Sequence, residues 1–228
     1  MGRAPRFALP LFLTARNKPL CAVAAFAVGL VLYSSTNRLT EPRARLLPMT
    51  PVDRAIPFVP ETFWIYVSEC GLFVAALLLS RDAGNLNRYV YAMMAAYAVG
   101  AALFLAWPTR FPRDDFPMPA DLDPATRWAF TFFRDHLDTP ANCCPSLHVA
   151  SCYLTAFLWL GERRRLFPWF FAWATAVGLS TLTTKQHYAV DIVAGLLYAA
   201  LFYALFFRWV RYRLTPTQQP SPSGTITL

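Results

Sequence analysis

The sequence predicts an all-α integral membrane protein: a six-helix transmembrane bundle with an interfacial helix in the loop before the fourth span. Three observations predict it. Of 228 residues, 56% are hydrophobic and only 15% are charged, whereas a soluble domain carries about 25% charged residues. Several apolar runs approach the roughly 20 residues that cross a hydrocarbon core. The basic residues behind the net charge of +8 stand in short groups at the ends of those runs, as topology signals do. They form no polybasic stripe, which argues against nucleic acid as a partner.

Residues 1–18 carry Arg3, Arg6, Arg16 and Lys18, a basic flank expected to be cytoplasmic. The first span runs from about Pro19 to Tyr33. Cys21–Ser35 lacks a small-residue cleavage site and reads as a retained signal anchor. Residues 34–62 hold Pro42, Pro48, Pro51, Pro57 and Pro60, too many prolines for one long helix. The second span is Phe63–Ser80. A turn with Arg81, Asp82, Gly84, Asn85 and Arg88 leads to the third, Tyr89–Trp107, whose aromatic ends suit an interfacial belt.

The loop from Pro108 to Pro145 contains an N-cap at Asp123 with Pro124 at the first helical position. Beyond it, Trp128, Ala129, Phe132, Phe133 and Leu137 recur at helical spacing, which predicts an amphipathic helix in the membrane plane. The fourth span is Ser146–Leu160, the fifth about Phe167–Thr183 and the sixth about Ala189–Val210. Residues 19–213 thus read as one domain, and 214–228, with Pro216, Pro220, Pro222 and Gly224, as a disordered tail.

Charge orients these spans. With the N-terminus inside, the short inner segments hold twelve basic residues against Asp82 and Glu162, while the longer outer loops hold nine, roughly balanced by acids. The positive-inside rule then puts both termini in the cytoplasm and both polar motifs on the exoplasmic or periplasmic face of a plasma or inner membrane. The five cysteines (Cys21, Cys70, Cys143, Cys144, Cys152) are too scattered to form a disulfide framework.

The chemistry lies in two motifs at the mouths of spans, Cys143-Cys144-Pro145-Ser146-Leu147-His148 and Lys185-Gln186-His187-Tyr188-Ala189-Val190-Asp191. His187 and Asp191 are four apart and share a helix face. A carboxylate there fixes the ring tautomer and leaves the other nitrogen as nucleophile or base. The plain alternative is a polar helix end with a capping Asp. Pro145-Ser146 opens a second helix, where free backbone N–H groups favour an anion, and His148 can protonate a leaving oxygen. Lys185 adds a point charge. Ionisable groups gathered at span mouths on one face point to function.

Pro-Ser-Leu-His followed by Lys-Gln-His-Tyr-x-x-Asp resembles the type-2 phosphatidic acid phosphatase superfamily, in particular its inositol phosphorylceramide synthase-like branch, over roughly residues 50–210. The resemblance implies a six-helix membrane fold and a phosphohistidine intermediate. It implies His187 as nucleophile, Asp191 as its orienting carboxylate, His148 as general acid and Ser146 as a phosphate ligand. Two departures stand out. Leu147 replaces the usual glycine, and Ser180-Thr181 stands where the phosphatases have Ser-Arg. Lys185, with Arg110 and Arg113 from the preceding loop, is left to hold phosphate, although a lysine lacks the arginine fork.

The expected activity is cleavage of a lipid or isoprenoid phosphate monoester or diphosphate, with no cofactor and no metal. The alternative is transfer of a phospho-headgroup to an alcohol acceptor. Membrane lipids are the expected surroundings. A cysteine phosphatase built on Cys144 lacks the arginine that closes such a loop, since Ala150 stands there. Zinc at Cys143, Cys144 and His148 lacks a second ligand pair. Haem held by two histidines would need them within the spans and gives Asp191 no role. His136 reads as a surface residue on the interfacial helix, and Asp114-Asp115 as a solvated loop pair.

Overall fold

A computed structural model describes residues 8–14 and 16–214. Its helices are α1 (Lys18–Thr40), α2 (Pro51–Ala55), α3 (Phe63–Val67), α4 (Glu69–Leu79), α5 (Ala83–Ala106), α6 (Pro124–Phe132), α7 (Leu147–Glu162), α8 (Phe167–Thr183) and α9 (Ala189–Ala204). α6 and α9 each end in a π turn, over Phe133–Leu137 and Leu205–Trp209. Two short parallel pairings join distant segments: β1 (Leu9–Leu11) with β4 (Tyr212–Leu214), and β2 (Arg45–Leu46) with β3 (Thr109–Arg110).

Four stretches are long and apolar enough to cross a bilayer: Lys18–Arg43, Pro60–Leu79, Ala83–Ala106 and Ala189–Trp209. They mark a membrane protein. On α1, Leu20, Val23, Phe26, Leu30 and Val31 are exposed, an apolar surface that only lipid or another protein satisfies. α7 is different. It has 16 residues and α8 has 17, both short for a full crossing.

α7 is the hub, packed against α4, α5, α8 and α9. Val149, Ala150, Cys152, Leu154, Ala156, Leu158 and Trp159 are all buried, so every face of this helix meets protein. Two glycines allow the close approach. A Cβ on Gly100 of α5 would lie 2.8 Å from both methyl carbons of Leu147, and one on Gly195 of α9 would lie 2.8 Å from the Ser146 carbonyl oxygen. α9 is therefore drawn against the start of α7, where the first polar motif sits.

Several boundaries differ from the expected ones, each for a local reason. α1 runs on through Thr40 because its last turns are buried and hydrogen-bonded to the loop before α7. Thr139 N donates to Asn37 Oδ1 at 2.9 Å, and Thr40 Oγ1 to Asn142 Oδ1 at 3.0 Å. α5 starts at Ala83 because Asp82 caps it, accepting from Asn85 N at 3.0 Å. The second apolar run is divided at Ser68, whose hydroxyl donates to Ile65 O and accepts from Trp173 Nε1. The helix expected near 123–137 forms and docks on α3. Phe130 stacks on Phe63 at 4.8 Å, while Trp128, Phe132 and Leu137 stay exposed.

The bundle has two distinct ends. At one, Lys18 Nζ donates to Ser80 O at 2.7 Å and Ser80 Oγ to Glu162 Oε2 at 2.7 Å. This gathers the start of α1 with the ends of α4 and α7. The turns bearing Arg81 and Arg163–Arg165 belong to this end. Leu13 is buried in the main core, so the segment before α1 packs with the bundle. Both polar motifs lie at the other end. The tail expected to be disordered lies outside the described residues beyond Leu214.

Candidate active site

Ser146 caps α7, its Oγ accepting from Val149 N at 3.2 Å. The same oxygen lies 3.1 Å from His187 Nε2, and His187 Nδ1 lies 3.2 Å from Asp191 Oδ2. Asp191 Oδ2 also accepts from Tyr188 N at 2.9 Å, which closes the first turn of α9. Asp191 is thus both helix cap and histidine partner. An ionised carboxylate can only accept, so the proton between the two belongs to Nδ1, and Nε2 keeps a lone pair facing Ser146. Ser146 and Asp191 are fully buried. Asp191 Oδ1, also buried, has no partner.

His148 is held by a residue the sequence reading passed over. Its Nδ1 lies 3.0 Å from Glu69 Oε2, and its ring stacks on Tyr66 with centroids 4.1 Å apart. The Cys152 thiol donates to the same Glu69 oxygen at 3.5 Å. His148 Nε2 is buried without a partner, and the ring is near enough to His187 that a charge on one disfavours a charge on the other. Glu69 had a signal: it is the lone acid inside the second apolar run, where an ionisable group is expensive and seldom idle.

The cations are placed less simply. Lys185, at a positive φ of 55°, turns its buried Nζ onto the carbonyls of Asp53 and Ile56 at 3.1 and 2.6 Å, with the Phe116 ring 4.7 Å away. Burial holds its pKa below the usual lysine value, with Asp53 opposing. Asp53 accepts from Ala189 N at 2.7 Å and forms a capping box with Thr50. Burial works against its charge, yet the hydrogen bonds from Ala189 and Thr50 keep its pKa below the ordinary value. Lys185 and Asp53 together strap the α2 loop across the start of α9.

Arg113 is buried in an ion pair with Asp138 at 2.6 Å, whose other oxygen accepts from Tyr33 OH at 2.7 Å. Burial opposes its charge, but Asp138 wins and holds its pKa above the usual value. Its Nε is left without a partner. Arg113, Phe116 and Arg134 line a cavity of about 290 Å³. Arg110 offers its carbonyl to Tyr188 OH at 3.0 Å. Leu147 turns away from the polar cluster into the core against Gly100. Ser180 and Thr181 are buried, and Thr181 O accepts from the backbone of Gln186 and His187. An arginine at either position would have to enter a packed helix end.

All five cysteines are free thiols. Burial, then the Asp191 charge, pushes Cys144 up to about 12, so it is a poor nucleophile. Cys143 does not join Cys144 and His148 in a common donor set. It lies instead with His187 and Asp191, one donor atom from each falling within 4.8 Å of the others.

The family model for the PAP2 superfamily matches residues 64–205, from the aromatic residue after Phe63 to the first residue of the closing π turn. No curated protein matches the chain.

Proposed function

We propose that this chain, which belongs to the PAP2 superfamily and so to the phosphatase- and phosphotransferase-type enzymes of lipids, hydrolyses a lipid or isoprenoid phosphate through a phosphohistidine on His187. The observation that carries this reading is the hydrogen-bonded line from Ser146 through His187 to Asp191, with the unpartnered Nε2 of His148 beside it.

In the first step His187 Nε2 attacks phosphorus while its Nδ1 proton stays against Asp191, which steadies the positive ring. The P–O bond to the leaving alcohol breaks. His148 Nε2 delivers its proton to that oxygen, and Glu69 holds the ring's other nitrogen. In the second step His148 Nε2 takes a proton from water, the new P–O bond forms, and the N–P bond breaks to free His187. Donors aimed at the phosphate oxygens do the remaining work. Ser146 can swing its hydroxyl from Nε2 to phosphate, and the α7 and α9 N-termini add backbone dipoles. Arg113 has an unpartnered Nε–H, and Lys185 contributes charge while holding the α2 loop.

The orientation follows from charge: the arginine-bearing turns gather at the end away from the site, so the site faces the exoplasm or periplasm. In this reading α7 and α8 also cross, sheltered among longer helices, which makes six spans, and α6 lies in the interface. An alcohol in place of water would make the enzyme an inositol phosphorylceramide synthase-like transferase. Leu147 and the missing arginine favour that branch.

The test is purified enzyme incubated with a panel of lipid phosphates, assayed for inorganic phosphate and for new lipid products. Release without an acceptor supports hydrolysis; turnover only with an added alcohol supports transfer. A second reading has its own observation. Ser146, His187 and Asp191 also lie in the order of an acyl-transfer triad, and covalent labelling of Ser146 by an organophosphonate would favour it.

A further inference from the structure

We propose that Cys143, His187 and Asp191 form a binding site for a soft divalent cation of the zinc type, and that its occupation switches the enzyme off. The assignment of the site stands on geometry alone; the effect on turnover rests on the phosphohistidine reading above.

The three residues supply a thiol sulfur, an imidazole nitrogen and a carboxylate oxygen within 4.8 Å of one another, all buried. Tetrahedral zinc takes this kind of donor set at about 2.0–2.3 Å per bond, often with three protein ligands and an open fourth position. The ligand atoms need to close by only about an ångström to reach such bonds.

Two features of the cluster suit a cation. Asp191 is fully buried, yet its Oδ1 makes no regular hydrogen bond and has only the weak Cys144 thiol donor beside the carboxylate, and an unsatisfied buried carboxylate oxygen is uncommon. The Cys143 thiol meets only the carbonyls of Pro140 at 3.3 Å and Gln186 at 4.0 Å, neither a strong partner. The proposed reaction does not use it.

Charge balances on binding. The cation displaces the thiol proton, which leaves to solvent, and the Nδ1 proton of His187 is exchanged for one on Nε2, so the imidazole stays neutral and a dication beside one thiolate and one carboxylate carries no net charge. That suits a buried position better than any partly neutralised set. The consequence for His187 is direct. A metal on the Asp191 side of the ring draws electron density from the imidazole and takes the carboxylate that would steady it. Nε2 still faces Ser146, but it now carries the ring proton and has no lone pair to offer phosphorus.

The test uses the full-length purified protein and begins with cobalt(II) as the probe. Thiolate coordination gives an intense near-ultraviolet charge-transfer band, expected in the wild type, abolished by zinc(II) and absent in Cys143→Ala. The same variant should turn over lipid phosphate within about twofold of wild type, yet require at least about tenfold more zinc for half-inhibition. Cys143→Ser, closer in size, guards against a packing defect and should likewise lose the thiolate band. A wild-type protein without the band overturns the site. So does a band or zinc inhibition that survives intact in both variants. If no lipid phosphate is turned over at all, the spectrum still decides the site, while the switch falls with the enzymatic reading.

Discussion

Glu69 Oε2 lies 3.0 Å from His148 Nδ1, on the helix that begins where the second apolar run breaks at Ser68. The two histidines of the site are therefore each backed by a carboxylate, His187 by Asp191 and His148 by Glu69. The first partnership is local, four residues apart. The second joins α4 to α7 and exists only in the folded bundle.

Glu69→Gln keeps the size of the side chain and removes its carboxyl group. Turnover of an alkyl lipid phosphate should fall by about 10–100-fold, a fraction of what general acid–base catalysis typically provides. KM should change little. With an aryl phosphate, whose leaving group needs no proton, single-turnover cleavage should stay within about threefold of wild type. Equal losses on both substrates would point to a structural role.

Gly100 and Leu147 test why the motif carries leucine. Gly100→Ala places a methyl 2.8 Å from both ends of Leu147, so the leucine must shift within a buried core. The expected loss is about 1–3 kcal/mol of stability, the usual effect of overpacking. Leu147→Ala alone leaves a cavity and should cost about 2–5 kcal/mol. The double variant should lose clearly less than the sum, measured by thermal unfolding in detergent, because the new methyl partly fills the space.

The α2 strap predicts a pH response. Asp53 has its folded pKa held below the ordinary 3.8, so its contribution is complete above that value and disappears as pH falls through the folded one. Asp53→Ala should lower stability by about 0.5–2 kcal/mol near neutrality through loss of the cap. The gap from wild type should shrink below pH 3.8. Unfolding midpoints measured from neutral pH to pH 3 read this out.

How much of this was legible in the sequence depends on the reach of each interaction. Asp191 caps the helix that starts one residue after Tyr188, so its meeting with His187 follows from spacing alone. Ser146 at the first turn of α7 was legible as a cap for the same reason. Its approach to His187 needs α9 to lie close to α7, which Gly195 permits and no periodicity announces. Lys185 read as a free cation because its partners, the carbonyls of Asp53 and Ile56, are backbone atoms with no signature. Arg113 looked equally available until the fold brought in Asp138. Glu69 left a trace, a charge in an apolar run, but its partner was unreadable. The end of α1 was misplaced at Tyr33 because Thr36, Asn37 and Thr40 look like loop residues until the 139–142 segment satisfies them.

The central claim is a covalent bond between phosphorus and His187. Purified enzyme should be mixed with a lipid substrate carrying labelled phosphate and quenched in alkali within a single turnover, which preserves phosphohistidine. The digested chain is then mapped by mass spectrometry. The account predicts label on the peptide containing His187, absent in His187→Ala and accumulating in His148→Ala when the leaving group is aryl. Turnover with no alkali-stable label, or label on Ser146 or Cys144, would contradict it.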